Sequence, residues 1–239
     1  MVSNVNHWRV ARPFGDDVWG YGRYGDDQLL PLSFDDMQHD TAAATAAVLS
    51  LGLPDRSVVV LTSTVSDVGY FHPLQSAAKD MGLLVCNADA STMDVDRVEM
   101  FIRLLDVAAV IGVNDALVDG IVERGHDPKS FFSSVPMVIA SGRAKERMAA
   151  TGVDALRFEL VGPVLALSCR HRNLHFDGRQ WDMVADNGTL LVSSRARRAL
   201  PFSHFDTRLG GTVSNGVCPC GRRDPVVEIE PTAEVRGPS

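Results

Sequence analysis

The sequence has no long apolar run and no excess of positive charge. Its longest stretch without a charged residue, Thr41 to Pro54, is too short to cross a hydrocarbon layer of roughly 30 Å as a helix. The start Met1-Val2-Ser3-Asn4 also lacks the charged and then apolar order of a secretory signal. These absences predict a protein with no membrane partner that stays in the cytoplasm.

A formal net charge of −7 argues against a nucleic-acid partner, because phosphate contacts require lysine and arginine clustered on one face. The one arginine-rich stretch, Arg195 to Arg198, is short and predicts a solvated edge. We therefore expect no nucleic acid among the partners.

Cysteine is scarce, since four residues in a chain of 239 do not make the disulfide framework of a small secreted domain. Cys86 and Cys169 stand alone, whereas only one residue separates Cys218 from Cys220. In a reducing compartment, such a close pair raises the question of a metal site. The 45% of hydrophobic residues suffices for one sizeable core or two small ones.

The middle of the chain alternates between helical patterns and short apolar runs. Ser33 and Asp36 form a capping box, and Gly52 with Pro54 supplies a stop, which predicts a helix over Phe34–Leu51. Strands buried on both faces and joined by helices predict a doubly wound, mainly parallel sheet. The predicted strands are 57–61, 83–86, 108–111 and 135–139. After the helix over Phe34–Leu51, the predicted helices are 73–81, 94–104, 115–124 and 143–150.

After residue 155 the pattern becomes antiparallel. The run 156–167 predicts one or two strands, and Asn187-Gly188 predicts a hairpin between 181–185 and 189–193. The predicted fold class is therefore α/β, a doubly wound, mainly parallel sheet followed by a smaller antiparallel β-rich subdomain. The predicted divisions are an irregular segment over 1–30 with at most a short edge strand, an α/β layer over 31–153, a β-rich subdomain over 154–230 and a disordered tail over 231–239.

Gly20, Gly22 and Gly25 match the spacing G-x-G-x-x-G of a dinucleotide-binding turn. That turn works only where a strand leads in and a helix starts at the third glycine. Here Asp26-Asp27 and then Pro31 follow, so the segment predicts a loop and no dinucleotide site.

Hydroxyl side chains follow the first strand of the predicted sheet, at the carboxyl end where open α/β sheets bind ligands. Ser63, Thr64 and Ser66 are the candidate substrate- or nucleotide-binding residues, and His72 lies close behind. A serine–histidine nucleophile pair is one interpretation, although loop hydroxyls commonly cap helices instead.

Cysteine and histidine cluster in two places in the last third of the chain. Cys169, His171, His175, Cys218 and Cys220 are thiolates and imidazoles, the ligands that zinc prefers, and two close groups across a long gap are typical of a closed zinc site. The alternative is buried reduced cysteines with surface histidines.

Two segments resemble the phenylacetate-CoA ligase branch of the adenylate-forming (acyl-CoA synthetase) enzymes. They are Glu159-Leu160-Val161-Gly162-Pro163, followed by Cys169 and Leu174-His175, and Cys218-Pro219-Cys220-Gly221-Arg222. The resemblance covers roughly residues 20 to 230. It implies part of the large N-terminal domain of these enzymes, which activate a carboxylic acid with ATP to an acyl-adenylate and pass the acyl group to a thiol such as CoA.

The resemblance also implies roles for individual residues. Glu159 matches the acidic residue that helps hold Mg²⁺, Gly142 falls at a turn near the adenine, and Gly162 belongs to the same binding region. Cys169, His175, Cys218 and Cys220 match a structural zinc site. The implied cofactors are zinc and Mg-ATP or AMP, and the implied partners are a small carboxylic acid or acyl derivative, a second copy in a homodimer, and a ligase or carrier protein.

The departures from the family pattern predict lost catalysis. Gly20 to Asp27 stands where the family has a phosphate loop, with Arg23 as its only cation, although anion binding needs donors and positive charge. Ala155-Leu156-Arg157-Phe158 replaces the aromatic-Gly-x-Ser pattern. Thr207-Arg208-Leu209 lacks the ribose-binding aspartate, with Asp206 displaced, and we expect the C-terminal domain with the catalytic lysine to be missing.

These departures predict a degenerate ligase-like protein that is an accessory or acyl- or nucleotide-binding protein in carboxylic-acid activation. One alternative is an enzyme of altered chemistry that acts on an acyl-adenylate or thioester, with Glu159 as base, His72 nearby and the Thr62–Ser66 loop on the acyl oxygen. Another alternative is a scaffold subunit of a separate ligase or carrier protein.

Overall fold

A computed structural model describes residues 18–24 and 28–230 of the chain. The predicted disordered tail lies outside these residues, as do Gly25 and Asp26-Asp27 of the glycine motif. The described helices are α1 (Phe34–Leu49), α2 (Val68–Asp80), α3 (Val95–Leu104), α4 (Asp115–Glu123), α5 (Pro128–Phe131) and α6 (Gly142–Ala150). None of them is long and apolar enough to cross a membrane.

Most of the strands belong to one sheet. The described strands are β1 (Val18–Tyr24), β2 (Gln28–Ser33), β3 (Val58–Ser63), β4 (Leu84–Asp89), β5 (Val107–Val113), β6 (Met137–Ser141), β7 (Leu156–Val161), β8 (Val164–Ser168), β9 (Leu174–His175), β10 (Trp181–Asp186), β11 (Thr189–Ser194), β12 (Phe205–Ser214) and β13 (Val226–Ile229).

The order β10-β11-β12-β13-β9-β8-β7-β6-β5-β3-β4 joins a parallel and an antiparallel part. Strands β4, β3, β5, β6 and β7 pair in parallel, and each pair from β7–β8 to β10–β11 is antiparallel. This confirms the predicted fold class. The sheet continues across the predicted boundary at residues 153 and 154, because β7 pairs directly with β6.

Apolar side chains fill both faces of the parallel part. Val59 and Leu61 of β3 pack toward α1 and α2, whereas Val60 packs toward α3, α4 and α6, as the two-residue period of a strand requires. A third apolar cluster lies along the antiparallel strands and contains Phe176, Trp181, Leu190 and Val227. The α/β layer and the β-rich part therefore each have a core.

The N-terminal segment needs a correction over its described residues. Strands β1 and β2 pair as an antiparallel hairpin in a separate two-stranded sheet, whereas the glycine-rich sequence predicted loop with at most a short edge strand. Leu30 is buried on this hairpin and packs in the cluster under α1 and α2. Pro31 is tolerated because a two-stranded hairpin leaves one side of each strand without a ladder.

Helix α2 begins five residues earlier than predicted, at Val68, and holds Pro73 in its interior. Proline is typical of a first helical turn, which is why the sequence pattern placed the start there. Gly69 lies in the added first turn, where a Cβ would lie 3.2 Å from the Gly22 Cα. The absence of a side chain lets the first turn of α2 approach β1.

Strand β5 carries a bulge at Gly112, where its register with β6 shifts. Gly112 has φ +105°, and a Cβ there would lie 1.9 Å from the Thr62 carbonyl oxygen. Glycine is therefore required both by the backbone conformation and by the close approach of β3.

Gly112→Ala is expected to lower the free energy of unfolding by roughly 3 kcal/mol or more, because the Thr62 carbonyl has to move as well as the bulge. The matched control is Gly82→Ala, since Gly82 has φ +79° but nothing within 4 Å of a Cβ, and its cost should be about 1 kcal/mol. Urea unfolding measures both. Equal losses would contradict the proposed steric cause.

Candidate functional site

The four residues predicted as metal ligands lie together at the end of β8 and β9. The ligand atoms of Cys169, His175, Cys218 and Cys220 all lie within 4.8 Å of one another. The sulfurs of Cys169 and Cys218 are 3.7 Å apart, as are the Cys220 sulfur and the His175 Nε2. A tetrahedral zinc with bonds of about 2.3 Å holds two sulfurs about 3.8 Å apart. The cluster therefore has the donor set and the dimensions that suit zinc.

Neighbouring groups orient these ligands. The His175 Nδ1 lies 3.0 Å from the Asp224 carbonyl oxygen, so an N–H at Nδ1 donates to that carbonyl and leaves the Nε2 lone pair toward Cys220. The Asn173 side-chain amide donates to the Cys218 sulfur over 3.1 Å. This outer layer orients the His175 ring and stabilises the thiolate that a metal site requires.

The cluster also favours ionisation of one thiol. Burial opposes ionisation of Cys218, but hydrogen bonds from the Asn173 side chain and the Cys220 backbone outweigh it and lower the pKa of Cys218 to about 6. Cys169 and His175 are fully buried. All four cysteines of the chain are free thiols, so disulfide bonds do not account for the cluster.

His171 is separated from the other four candidates. Its backbone N–H donates to the Cys169 sulfur over 3.3 Å, while its ring Nε2 accepts from the Arg170 guanidinium. The backbone of His171 therefore supports a ligand, and its imidazole points to a different neighbour. Spacing along the chain could not distinguish His171 from His175.

Glu159 lies on β7 and faces the first residue of α6. Its Oε1 accepts from the Gly142 backbone N–H and from the Arg157 Nε, both over 2.8 Å, and the Arg157 Nη2 lies 2.8 Å away. Arg157 also donates to the Ile229 carbonyl oxygen. The carboxylate is thus held by a guanidinium and by a helix N-terminus, both of which stabilise negative charge.

The structure brings Gly142 and Glu159 together, and their predicted roles stay predictions. A Cβ on Gly142 would lie 2.2 Å from the Glu159 Oε1, so only glycine leaves room for this carboxylate. Sequence reasoning missed Arg157, although an arginine two residues before Glu159 on a strand faces the same side of the sheet.

The hydroxyl loop after β3 is bonded mainly within itself. The Thr64 Oγ1 donates to the Asp67 carboxylate and lies 2.6 Å from the Ser66 hydroxyl, which is the local capping that such residues commonly make. Ser63 ends β3 beside Asp89 of β4. His72 is half-buried on α2, and its catalytic role stays a prediction.

Gly162 forms the tight turn between β7 and β8. It has φ +62°, and a Cβ there would lie 2.8 Å from the Phe205 ring. Its carbonyl oxygen accepts from the buried Tyr70 hydroxyl over 2.9 Å. These contacts give Gly162 a structural task, and ligand contact by Gly162 stays a prediction.

The position predicted for the ribose-binding aspartate carries an apolar side chain. Leu209 packs against the cluster of the β-rich part, and the Thr207 hydroxyl donates to the Leu190 carbonyl. The Asp206 carboxylate accepts from the Arg208 backbone N–H, so it closes a local turn.

The predicted solvated edge at 195–198 is wrong for one residue. Arg198 is 8% exposed and forms two hydrogen bonds with the Asp40 carboxylate, of 2.9 and 2.5 Å. Its guanidinium carbon lies 4.3 Å from the centre of the Trp181 ring. The partners lie far away along the chain, so no local pattern indicates this burial.

No protein-family model matches the chain, and no curated protein matches it by sequence. Solved structures do match. A 2-hydroxyisobutyryl-CoA ligase in the postadenylation state aligns with 88% of this chain and 50% of its own, at TM-score 0.64 and 14% identity. The fused adenylation–PCP protein NpsA-ThdA from Klebsiella oxytoca also aligns, with 87% of this chain and 43% of its own, at TM-score 0.56 and 12% identity. Mycobacterium smegmatis MbtA aligns with 87% of this chain and 44% of its own, at TM-score 0.54 and 12% identity.

The chain has the fold of part of the large domain of adenylate-forming enzymes. It spans about half the length of the ligase that it matches. The likeness lies in the arrangement of helices and strands, since few aligned residues are identical. In this adenylate-forming fold, the Cys/His cluster lies in the antiparallel part, and Glu159 lies at the junction with the parallel part.

The Cys/His cluster leads to a prediction of the zinc content. The full-length protein, purified without chelator, is expected to carry about one zinc per chain. Cys169→Ser should release most of the metal and lower the free energy of unfolding by roughly 3 kcal/mol or more, because the remaining ligands are buried without their ion. Elemental analysis and urea unfolding give both numbers.

Cys86→Ser is the matched control, since Cys86 is a free thiol on β4, outside the cluster. It should keep the metal and most of the stability. Less than about one zinc per two chains in the unmodified protein, or equal loss of metal in both variants, would count against a zinc site.

A double-mutant cycle tests the contact at Glu159. Arg157→Met, Glu159→Gln and the double variant should give a coupling energy of about 1–2 kcal/mol, because the charge-assisted hydrogen bonds are largely shielded from water. The exposed pair Arg103–Glu99 on α3 serves as control and should couple by less than about 0.5 kcal/mol. Similar coupling energies for the two pairs would show that Glu159 is not held as described.

Proposed function

We propose that this protein is a diverged, phenylacetate-CoA ligase-like protein that no longer adenylates by itself. In this proposal it binds a small carboxylic acid or its acyl derivative, as an accessory protein in carboxylic-acid activation. The observation that carries the proposal is the ion pair between Glu159 and Arg157, whose guanidinium lies 2.8 Å from the carboxylate oxygen.

A guanidinium at this distance competes directly with Mg²⁺. The cation would need the oxygen lone pairs of Glu159, and the Oε1 already accepts from Arg157 and from the Gly142 backbone N–H. Bringing a divalent cation beside the positive Arg157 adds a repulsion that the carboxylate alone would have to offset. Mg-ATP is therefore expected to bind weakly at Glu159.

Two further groups needed for adenylation are replaced. Leu209 offers no oxygen to a ribose hydroxyl, and Asp206 is occupied by the Arg208 backbone. By sequence, Arg23 is the only cation in the segment that corresponds to the phosphate loop. Each lost electrostatic group typically costs about 10²- to 10³-fold in rate, so their joint loss predicts little remaining activity.

The retained fold supports a binding role. The solved 2-hydroxyisobutyryl-CoA ligase holds 2-HIB-AMP and CoA, and NpsA-ThdA joins an adenylation domain to a PCP. By analogy, an acyl compound would occupy the carboxyl ends of the parallel strands, near Ser63, Thr64 and Ser66. A carrier protein or a separate ligase would be the macromolecular partner, with homodimerisation as a further expectation.

Zinc would serve as a structural cofactor in this proposal. Cys169 and His175 flank the short segment between β8 and β9, and Cys218 with Cys220 precedes β13. An ion bound by all four would join these two distant parts of the chain without an open position for chemistry. We place the protein in the cytoplasm because four free thiols suit a reducing compartment.

Two assays of the full-length protein test the proposal. ATP–pyrophosphate exchange with a panel of aryl and alkyl carboxylic acids should stay at the level of heat-inactivated protein. In a thermal-shift screen with ATP, AMP, CoA and the same acids, at least one acid or acyl compound should raise the melting midpoint, because a ligand that binds only the folded form stabilises it. ATP should raise it little or not at all.

Ser63→Ala should reduce the acid-dependent shift of the melting midpoint. The control Ser133→Ala, on an exposed turn after α5, should leave it unchanged.

ATP–pyrophosphate exchange activity above background would refute the loss of adenylation. Turnover of an acyl-adenylate or thioester that Glu159→Gln abolishes would favour an enzyme of altered chemistry. A screen without any hit, together with co-purification of a ligase or carrier protein, would favour a scaffold.

A further inference from the structure

A cavity of about 80 Å³ lies between α1, α2 and the antiparallel part of the sheet. Apolar side chains form most of its wall, among them Leu30, Leu74, Leu167 and Phe176. Glu159 and the hydroxyl loop after β3 are not among its lining residues. The cavity is thus distinct from Glu159 and this loop, and its lining also includes His175 of the Cys/His cluster and Gly22 of the glycine-rich segment.

Part of the cavity wall is polar and deeply buried. Arg198, 8% exposed, lines it together with Asp40, Asp36 and the ring of Trp181. Arg222 also lines it, with its side chain 9% exposed and its Nε bonded to the Asp224 carboxylate over 2.8 Å. Polar groups this far from water require hydrogen-bond partners.

Three buried atoms of the polar lining residues have no hydrogen-bond partner among the residues that the structure describes. They are the Arg198 Nε, the Arg222 Nη1 and the Asp36 Oδ1. The first two are donors and the third is an acceptor. Because a buried polar atom without a partner is costly, a molecule in the cavity that both accepts and donates hydrogen bonds would be favoured there.

The charges of these lining residues and their partners disfavour an anionic head group. Asp40 and Asp36 both face Arg198, at 2.5 and 3.7 Å, while Asp224 balances Arg222 and Arg179 balances the lining residue Asp177. The set carries one more carboxylate than guanidinium. A carboxylate ligand would add a second uncompensated negative charge in a buried place, and it would offer no donor to the Asp36 Oδ1.

A cationic head group fails for the complementary reason. An ammonium has donors but no acceptor, so the Arg198 Nε and the Arg222 Nη1 would stay without a partner. A carboxamide or a hydroxyl offers both an acceptor and a donor without net charge. The apolar remainder of such a molecule would lie against Leu74, Leu167 and Phe176.

We propose that this cavity, whose lining includes Arg198, Arg222 and Asp36, binds a small uncharged amphiphile with a carboxamide or hydroxyl head group. The cavity volume of about 80 Å³ is several times the roughly 10–15 Å³ that one water requires when measured in the same way. The cavity therefore has room for a molecule larger than water. The mostly apolar wall offers few partners to a chain of waters, whereas it suits a short alkyl group.

Three probes with the same alkyl chain test the head group. Pentanamide, pentanoate and pentylammonium are titrated into the full-length protein, and binding is followed by calorimetry and ligand-observed NMR. Pentanamide is expected to bind at least about tenfold more tightly than either charged probe, a difference of about 1.4 kcal/mol. This comparison uses the unmodified protein and needs no variant to fold.

A cavity-filling variant then tests whether pentanamide binds in this cavity. Ala44 lines the cavity from α1 and is buried, whereas Ala42 on the same helix is exposed and is not among the lining residues. Ala44→Leu should weaken pentanamide binding at least about tenfold, and Ala42→Leu should leave it unchanged. Circular dichroism and zinc content verify that both variants fold.

The proposal is overturned if pentanoate or pentylammonium binds as tightly as pentanamide, if no probe binds, or if folded Ala44→Leu binds as the unmodified protein does. The outcome is independent of the acid-dependent thermal shift, because the two sites share none of the named binding residues. Loss of the Ser63-dependent shift with retained pentanamide binding would identify a failure of the proposed function alone.

Discussion

The pairing of β7 with two different neighbours organises the molecule. On one side β7 runs parallel to β6, and on the other it is antiparallel to β8. The parallel layer and the antiparallel part therefore form one continuous sheet in spite of their separate cores. The same junction brings the first residue of α6 to Glu159 and places Cys169 just beyond β8, so both candidate sites depend on it.

At this junction, Arg157 and Glu159 face the same side of β7, and the guanidinium bonds to the carboxylate oxygen that also accepts from the Gly142 backbone N–H. The ion pair and this hydrogen bond tie β7 to the first residue of α6, within a fold that matches part of the large domain of the adenylate-forming enzymes.

Long-range contacts also determine the chemistry of the interior. Arg198 is charged and comes from a segment of four residues that contains three arginines, yet it is buried against Trp181 and Asp40. The cation–π contact and the paired carboxylate together compensate for its lost hydration. This burial places a charged side chain in the wall of an otherwise mostly apolar cavity.

The sequence by itself determined the elements with strong local signals: the capped helix α1, the apolar parallel strands, the hairpin at Asn187-Gly188 and the Cys/His set that is brought together in space. The signals of the helix, the strands and the hairpin are contained in a few neighbouring residues, through periodicity, capping and turn chemistry. The Cys/His set was indicated instead by residue type and by the family resemblance. Tertiary structure alone decided that α2 extends back to Val68 against β1 and that Arg198 is buried. Each of these depends on a partner distant in the sequence, and no local pattern encodes which distant residues meet.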